Sequence, residues 1–318
     1  MKKVMSVLMP IIIMIIVAGA CVGLYYFFTH NNGKTESETS VKTSEEISNE
    51  PLFKFNEYPK VDASLATQPL TNAFIKNFVG ENVDLNQVEY TNTHPGYVKL
   101  INGEADLIVV TEPSEEEKKL AEEAGVELEV IPVVKEGFVF YVNGDNPVDS
   151  ISLENIQKIY TGEIKNWKEL GGEDAEIKAF QRPVNSGSQT GMLSLVMKGL
   201  KLMDAPKENL VDTMEQIINL VSSYDNGRNS IGYSYYYYAT TMYEDIDKDV
   251  ANGIKLVKVN GIEPNYDTIK NGEYPIETAY YIVVRKNDQS ENTKKLVDAM
   301  LSHRGQNVAK EAGYVPVE

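Results

Sequence analysis

Short apolar segments alternate with amphipathic segments along residues 57–318, and this alternation constrains the fold more than any other feature. Apolar residues recur at a helical spacing over 69–79, and the stretch 105–110 is typical of a buried strand. Ser114 and Glu117 form a capping box that predicts the start of the next helix. The same patterns predict strands over 126–134, 138–142, 177–180, 230–236, 255–259 and 278–284, and helices over 152–160, 188–198, 210–224 and 292–312. Strands separated by helices predict an α/β fold with a mostly parallel sheet and helices on both faces.

The charge balance limits the kinds of partner. The chain has 318 residues, with 30 Lys and Arg against 47 Asp and Glu, for a formal net charge of −17. Residues 1–50 contain four Lys and five Glu, so the remainder has 26 basic and 42 acidic residues and a charge of −16. Such a chain lacks the basic surface that displaces counterions from nucleic-acid phosphates, so we expect no nucleic-acid partner.

Cysteine and histidine usage limits the kinds of site. The single cysteine excludes an intrachain disulfide framework and multi-cysteine metal centres. The histidines at 30, 94 and 303 show no metal-ligand spacing. We therefore expect neither a metal nor a cofactor.

The N-terminal segment 1–30 predicts a membrane-associated beginning of the chain. Lys2 and Lys3 precede an apolar run over 4–28, which is long enough to cross a bilayer with some tilt. Three interpretations compete: an uncleaved anchor, a lipoprotein signal with acylation at Cys21, and a signal peptide cleaved after small residues. The run continues past any cleavage point, which favours the anchor. All three place the rest of the chain outside the cytoplasm, after a polar, flexible linker over 31–56.

Three polar loops predict the chemistry of the folded part. Each follows a predicted strand and precedes a predicted helix, over 62–67, 111–114 and 182–190. All three carry hydroxyl side chains where free backbone N–H groups of a helix would point outward, and the third also has an arginine and a glycine. These are the ingredients of an oxyanion site. The alternative is that the Ser and Thr side chains only cap helices, which is their commonest use.

The third loop resembles the anion-binding loop of the phosphate-binding proteins that feed phosphate ABC transporters. The resemblance covers about residues 57–318. Its most specific motifs lie at 61–67 (VDASLAT), 100–107 (LINGEADL), 159–167 (IYTGEIKNW), 182–188 (RPVNSGS) and 231–234 (IGYS).

The resemblance implies an α/β fold of the type II periplasmic-binding-protein class, a two-lobed clamshell. Two crossing strands join the lobes, and the ligand lies between them. The crossings are expected near 136–138 and 274–281. Lobe 1 would then consist of 57–137 and 272–318, and lobe 2 of 138–271.

The family's ligand-binding positions correspond here to Ser64, Leu65, Glu112, Arg182, Ser186, Gly187 and Ser188. By this resemblance Ser64 offers a hydroxyl and Leu65 a backbone N–H. Glu112 stands where the family has an acidic acceptor, and Arg182 is the charged donor. Residues 186–188 form the helix-capping loop.

Four positions depart from the family pattern. Leu65 stands where a threonine is usual, Ala63 replaces a common glycine, and Val184 stands where many members have an acid. Glu112 is one methylene longer than the usual aspartate. These departures leave sulfate and molybdate open as alternative ligands.

The resemblance implies a non-enzymatic, monomeric binding protein that captures inorganic phosphate for the permease of an ABC transporter. A sensor or adhesion module of the same fold is the alternative. The sequence has no Gly-x-Ser-x-Gly elbow, which argues against a serine hydrolase. We expect the tyrosine run over 233–238 and Trp167 to be structural, and His94 to be a loop residue with a local hydrogen bond.

Overall fold

The computed structural model describes residues 50–85, 88–223 and 227–318. The predicted anchor or signal segment 1–30, Cys21 and most of the predicted linker lie outside these residues. Within the described ranges, no helix is both long enough and apolar enough to span a bilayer. The packed part of the chain begins before residue 57, because the backbone N–H groups of Leu52 and Phe53 donate to Phe78 O and the Phe53 side chain is buried.

Strands and short helices alternate along the described chain, as the sequence patterns predict. The strands are β1 (Val61–Ala63), β2 (Leu107–Val110), β3 (Leu128–Asn143), β4 (Ser150–Ile151), β5 (Lys178–Ala179), β6 (Ser230–Tyr235), β7 (Ile254–Leu256), β8 (Lys258–Val259), β9 (Glu277–Arg285) and β10 (Val315–Pro316). The α-helices are α1 (Gln68–Val79), α2 (Thr93–Ile101), α3 (Glu115–Glu123), α4 (Leu153–Thr161), α5 (Gly187–Gly191), α6 (Met214–Ser222), α7 (Tyr243–Ile246), α8 (Lys248–Asn252), α9 (Tyr266–Lys270), α10 (Glu291–Leu301) and α11 (His303–Glu311). Single 3-10 turns span Phe55–Glu57, Leu65–Thr67, Trp167–Leu170 and Lys207–Asn209, and π-helical turns span Met192–Met197 and Tyr238–Met242.

The main sheet has the strand order β1-β2-β9-β3-β6-β5, and β7 and β10 also pair with β3. The prediction of a mostly parallel sheet is wrong. Only the outer pairs β1–β2 and β5–β6 are parallel within it, whereas every pair that includes β3 or β9 is antiparallel. The reason is that β3 and β9, the two longest strands, run through the centre of the sheet in opposite directions.

Strand β3 is continuous where the sequence predicted two strands. Its first part pairs with β9 over 128–137, and its second part pairs with β6 over 138–142. The strand continues through the residues between the two predicted strands, where Glu136 is buried and its carboxyl group accepts backbone hydrogen bonds. Gly137 packs closely against Ile269, whose side chain would have to shift to admit a Cβ atom, since that atom would lie 2.8 Å from Ile269 Cδ1.

Three helix predictions differ from the structure in where a helix begins, whether it is continuous, or which type it is. Helix α6 begins at Met214 rather than 210, because Leu210 forms a bridge with Gln181 and Thr213 caps the helix. The predicted helix over 292–312 is two helices, because the Ser302 side chain accepts from Gly305 N at 3.2 Å and starts α11. The predicted helix over 188–198 begins as α5 and continues as a π-helical turn.

The aromatic residues singled out in the sequence are structural, as predicted. Trp167 is buried, and its indole N–H donates to Asn229 O at 2.9 Å. Tyr233 and Tyr235 are buried in the core, and Tyr237 stacks on Tyr314 with ring centroids 3.6 Å apart. These contacts make the tyrosine run a packing element of the core.

Candidate functional site

The first two polar loops lie side by side at one edge of the sheet. Parallel pairing of β1 with β2 places Ala63 opposite Val109, so the chain leaves both strands in the same direction. The first loop is held against β2 by hydrogen bonds to Val109 O from the Ser64 backbone N–H at 3.1 Å and from Thr67 Oγ1 at 2.6 Å. This edge is the carboxyl end of the two strands, where α/β proteins bind ligands.

The third loop is organised around Arg182. Its guanidinium donates from Nη1 to Ser188 Oγ at 2.9 Å and from Nη2 to Asp212 O at 2.6 Å. Its backbone N–H donates to Gln189 Oε1 at 3.1 Å and to Tyr233 Oη at 3.0 Å. Arg182 is therefore held against the loop by both its side chain and its backbone.

The segment 186–188 starts a helical stretch, as the capping prediction requires. The Ser186 side chain accepts from Gln189 N at 3.4 Å, which marks Ser186 as the N-cap of α5. Ser188 is buried and receives the Arg182 hydrogen bond. Gly187 O accepts from the Tyr235 hydroxyl at 2.9 Å. Backbone and side-chain groups thus fix the start of this helical stretch.

Gly187 lies directly against the second loop. A Cβ atom at this position would lie 2.7 Å from Thr93 Oγ1 and 2.7 Å from Thr111 Oγ1. Such distances are shorter than real contacts, so only glycine allows this approach. Because Gly187 has no side chain, the backbone at the start of α5 lies close to the hydroxyl groups of Thr93 and Thr111.

Two further contacts join the third loop to helix α3 and the second loop to the π-helical turn after α5. Asn185 Nδ2 donates to Glu116 Oε2, and Ser194 Oγ donates to Glu112 Oε1. Glu112 therefore lies against the π-helical turn that follows the third loop.

Ser64 and Leu65 are less directly connected to the third loop. Ser64 is buried, and its hydroxyl lies 3.1 Å from Thr67 Oγ1, whereas Leu65 is 46% exposed. In the described part of the chain, no hydrogen bond joins either residue to Arg182 or Ser188. The structure thus brings Glu112 against Ser194, shortly after the third loop, and relates Ser64 and Leu65 to that loop only through β1 and β2.

Unused donor groups lie in this region. Arg182 Nε and Thr111 Oγ1 are buried and have no hydrogen-bond partner. Burial lowers the pKa of the Arg182 guanidinium, but an arginine remains a cation in proteins because its pKa starts so high. A buried cation with an unsatisfied N–H favours an anionic oxygen acceptor.

Reasoning from the sequence missed Thr93 and Thr111 as site residues. Thr93 is the first residue of α2, and Thr111 follows β2 directly. The signal was present for both: Pro95 suits the first turn of a helix, and Thr111 opens a polar loop that was itself singled out. Their convergence on Gly187 depends on tertiary structure.

His94 differs from its prediction. It lies in α2 rather than in a loop, and its Nδ1 is 3.0 Å from Glu117 Oε1. Glu117 is fully buried and completes the predicted capping box with Ser114, whose backbone N–H donates to Glu117 Oε2 at 2.7 Å. His94 is therefore part of the support beneath the second loop.

Comparison with known proteins agrees with this architecture. The chain is 29% identical over 259 residues to the phosphate-binding protein PstS of Bacillus subtilis, covering 81% of this chain and 80% of that protein. It is 27% identical over 266 residues to PstS of Staphylococcus saprophyticus, covering 80% and 79%.

Two solved structures are similar in fold. One is a substrate-binding protein from Clostridium perfringens, assigned to phosphate ABC transport and crystallised with bound phosphate. It has a TM-score of 0.64 and 25% identity, with 81% of this chain and 98% of that chain covered. The other is an ABC-type phosphate transport receptor from Vibrio cholerae, with a TM-score of 0.59, 21% identity and coverage of 80% and 98%.

The model of the PBP superfamily domain matches residues 56–304. This range is most of the chain and includes all three polar loops. The long crossing strands, the sheet order and the loops at strand ends are consistent with the clamshell fold. The chain belongs to the PBP superfamily.

Proposed function

We propose that this protein captures inorganic phosphate between two lobes outside the cytoplasm and delivers it to the permease of an ABC transporter. The observation that carries the proposal is the contact of Gly187 with Thr93 and Thr111, beside a buried Arg182 that retains a free Nε–H. Relatives named as phosphate-binding proteins support the choice of phosphate.

The lobes follow the boundaries implied by the resemblance, with lobe 1 at 57–137 and 272–318 and lobe 2 at 138–271. The change of partner along β3 supports this division, since pairing with β9 ends at Gly137 and pairing with β6 begins at Phe138. The second and third loops then face each other across the boundary. Binding would close the lobes, and a permease would recognise the closed form.

Arg182 supplies positive charge to the bound phosphate. The segment 186–188 offers backbone N–H groups and two hydroxyls, and Ser64 and Leu65 offer a hydroxyl and an amide from the first loop. Glu112 accepts a hydrogen bond from the protonated oxygen of hydrogen phosphate. Sulfate carries no such proton at neutral pH, so a carboxylate facing it leaves two acceptors unpaired, which favours phosphate.

A binding role fits the site better than catalysis. Ser186 and Ser188 would need a nearby base to act as nucleophiles. The two described histidines are engaged elsewhere, His94 with Glu117 and His303 with Asn307.

We further propose that the protein is a monomer held at the outer face of the cell membrane by residues 1–30, either as an uncleaved anchor or through a lipid on Cys21. The basic residues ahead of the apolar run and the length of that run support membrane attachment.

Calorimetric titration of the full-length protein with phosphate and with sulfate tests the proposal. We expect phosphate to bind more tightly than sulfate. Arg182→Ala should weaken phosphate binding by about 10- to 100-fold, because a hydrogen bond to a charged group contributes about 1.5–3 kcal/mol. Arg228→Ala is the matched control, since Arg228 is an exposed arginine paired with Glu173. Equal binding by the two variants, or no binding of phosphate by the unaltered protein, would refute the proposal.

A further inference from the structure

A second feature of the same region is a cavity of about 300 Å³ between the second and third loops. One wall is the start of α3, and the other wall is formed by the third loop and the π-helical turn after α5. Its lining includes Glu112, Glu116, Val184, Thr190 and Leu193. Its volume is at the lower end of pockets that hold small organic ligands, about 300–1,000 Å³. An inorganic anion held by Arg182 and the 186–188 segment would leave this cavity unfilled.

The cavity presents apolar side chains to solvent. Val184 is 73% exposed and Leu193 is 41% exposed, and both line the cavity together with Pro113. Leucine and valine gain free energy when a ligand removes such surface from water. The cavity can therefore hold methylene groups.

The charge of the cavity is negative. Lys118 is the only cation among its described lining residues, and its Nζ is 2.7 Å from Glu115 Oε1. Glu112 and Glu116 instead bond to neutral side chains, those of Ser194 and Asn185. Two carboxylates thus remain without a cationic partner, and they favour a positively charged group.

An independent observation points to a ligand. Thr190 lines the cavity, is only 6% exposed, and its Oγ1 is buried without a hydrogen-bond partner. A buried hydroxyl without a partner is unfavourable by about 1–3 kcal/mol, so such groups usually have a partner in the functional state. An ammonium group would donate to this oxygen.

We propose that the cavity binds the organic part of a phosphate monoester of a short amino alcohol, with its phosphate in the site proposed above. This inference rests on the proposed function. The methylene groups contact Val184 and Leu193, and the ammonium group lies between Glu112, Glu116 and the Thr190 hydroxyl. A phosphate monoester is mostly an unprotonated dianion at neutral pH, so the ammonium group takes the place of the phosphate proton as the hydrogen-bond donor to Glu112.

The test is a set of calorimetric titrations of the full-length protein with inorganic phosphate, ethyl phosphate and phosphoethanolamine. Ethyl phosphate differs from phosphoethanolamine only by the amine. We expect phosphoethanolamine to bind about tenfold more tightly than inorganic phosphate, since two buried methylenes contribute about 0.8 kcal/mol each. Ethyl phosphate has the same two carbon atoms but no ammonium group to donate to Glu112 and Glu116, so it should bind about two- to fivefold more weakly than phosphoethanolamine and still more tightly than inorganic phosphate.

Two variants locate the ammonium group. Glu116→Gln keeps an acceptor for Asn185 but removes a charge, and it should weaken phosphoethanolamine binding about two- to fivefold, as expected for an exposed ion pair. Thr190→Val removes the hydroxyl that has no partner, and it should also weaken phosphoethanolamine binding. Glu116→Gln should not change the affinity for inorganic phosphate. Glu122→Gln, on the exposed side of the same helix, is the charge control.

The outcomes separate this inference from the proposed function. Binding of inorganic phosphate with no gain for phosphoethanolamine would overturn the inference and leave the proposed function intact. Equal effects of Glu116→Gln and Glu122→Gln would also overturn it, since the effect would then be one of overall charge. Absence of binding by all three ligands would overturn the proposed function.

Discussion

Replacing Glu136 by glutamine should make the stability of this protein less dependent on pH. Glu136 lies in β3, immediately before the residue where the strand changes partner, and it is only 2% exposed. Its Oε1 accepts from Gly137 N at 2.9 Å and from Tyr237 N at 3.2 Å. Across the described residues, no cation forms an ion pair with it.

Burial controls the ionisation of Glu136. Loss of hydration raises the pKa of its carboxyl from 4.5 to about 8, and the backbone hydrogen bonds lower it by less. At pH 7 the folded protein therefore keeps the proton on Glu136, whereas the unfolded chain loses it above pH 4.5.

The sign and size of the pH effect follow. Because the folded state binds the proton more tightly, the stabilisation is complete below pH 4.5 and is lost as the pH rises through about 8. The folded and unfolded pKa values differ by roughly 3.5 units, and each unit corresponds to about 1.4 kcal/mol. The free energy of unfolding therefore loses about 5 kcal/mol over this pH range. The amide of Glu136→Gln keeps the acceptor oxygen and does not ionise, so the variant lacks this loss.

Urea unfolding at pH 4.5, 6, 7 and 8.5 measures the difference. Other groups titrate equally in both proteins, so we compare their free energies of unfolding at each pH. The value for the unaltered protein should fall by several kcal/mol relative to that of the variant as the pH rises from 4.5 to 8.5. Glu277→Gln is the control, because Glu277 is exposed and lies opposite Gly137 in the neighbouring strand. A constant difference between the unaltered protein and Glu136→Gln across the series would refute the reasoning.

Other substitutions test the site and the core. Gly187→Ala should weaken phosphate binding at least tenfold and lower the unfolding free energy by about 1–3 kcal/mol, because its Cβ would meet Thr93 and Thr111 at 2.7 Å. Calorimetric titration measures the first effect and urea unfolding the second. An unchanged phosphate affinity would contradict the proposed approach of the loops. Glu112→Gln should raise the affinity for sulfate relative to phosphate in parallel titrations, and unchanged selectivity would exclude its role as proton acceptor. Phe74→Ala should lower the unfolding free energy by about 3–5 kcal/mol in urea, since Phe74 is fully buried; a loss below 1 kcal/mol would show that the helix contributes little to the core.

Local sequence signals predicted the elements that depend on near neighbours. The apolar spacing before Gly80 predicted α1, and the Ser114–Glu117 capping box predicted the start of α3. Both depend on contacts three or four residues apart, which the sequence displays directly. The same holds for Ser186, whose role as a helix cap could be inferred from the loop in which it stands.

Predictions failed where distant contacts override local preference. The sequence predicted separate strands over 126–134 and 138–142, yet the residues between them form the middle of β3, because the buried Glu136 accepts from the Tyr237 backbone N–H about a hundred residues away. Leu210 has the spacing of a helix but bridges to Gln181 instead. In both cases the partner is far along the chain, so a local pattern cannot reveal it.

Composition and short motifs were enough to predict the α/β class, the net negative charge, the three polar loops and the family resemblance. The approach of Gly187 to Thr93 and Thr111, the hydrogen bond from Arg182 to Asp212 and the neighbouring cavity became visible only in the folded chain. These features depend on how the strands pair, and β3 and β9 bring together segments that are widely separated in sequence. The register of each strand depends on which of its side chains the rest of the sheet buries. A single segment of sequence therefore cannot specify which loops meet at the site.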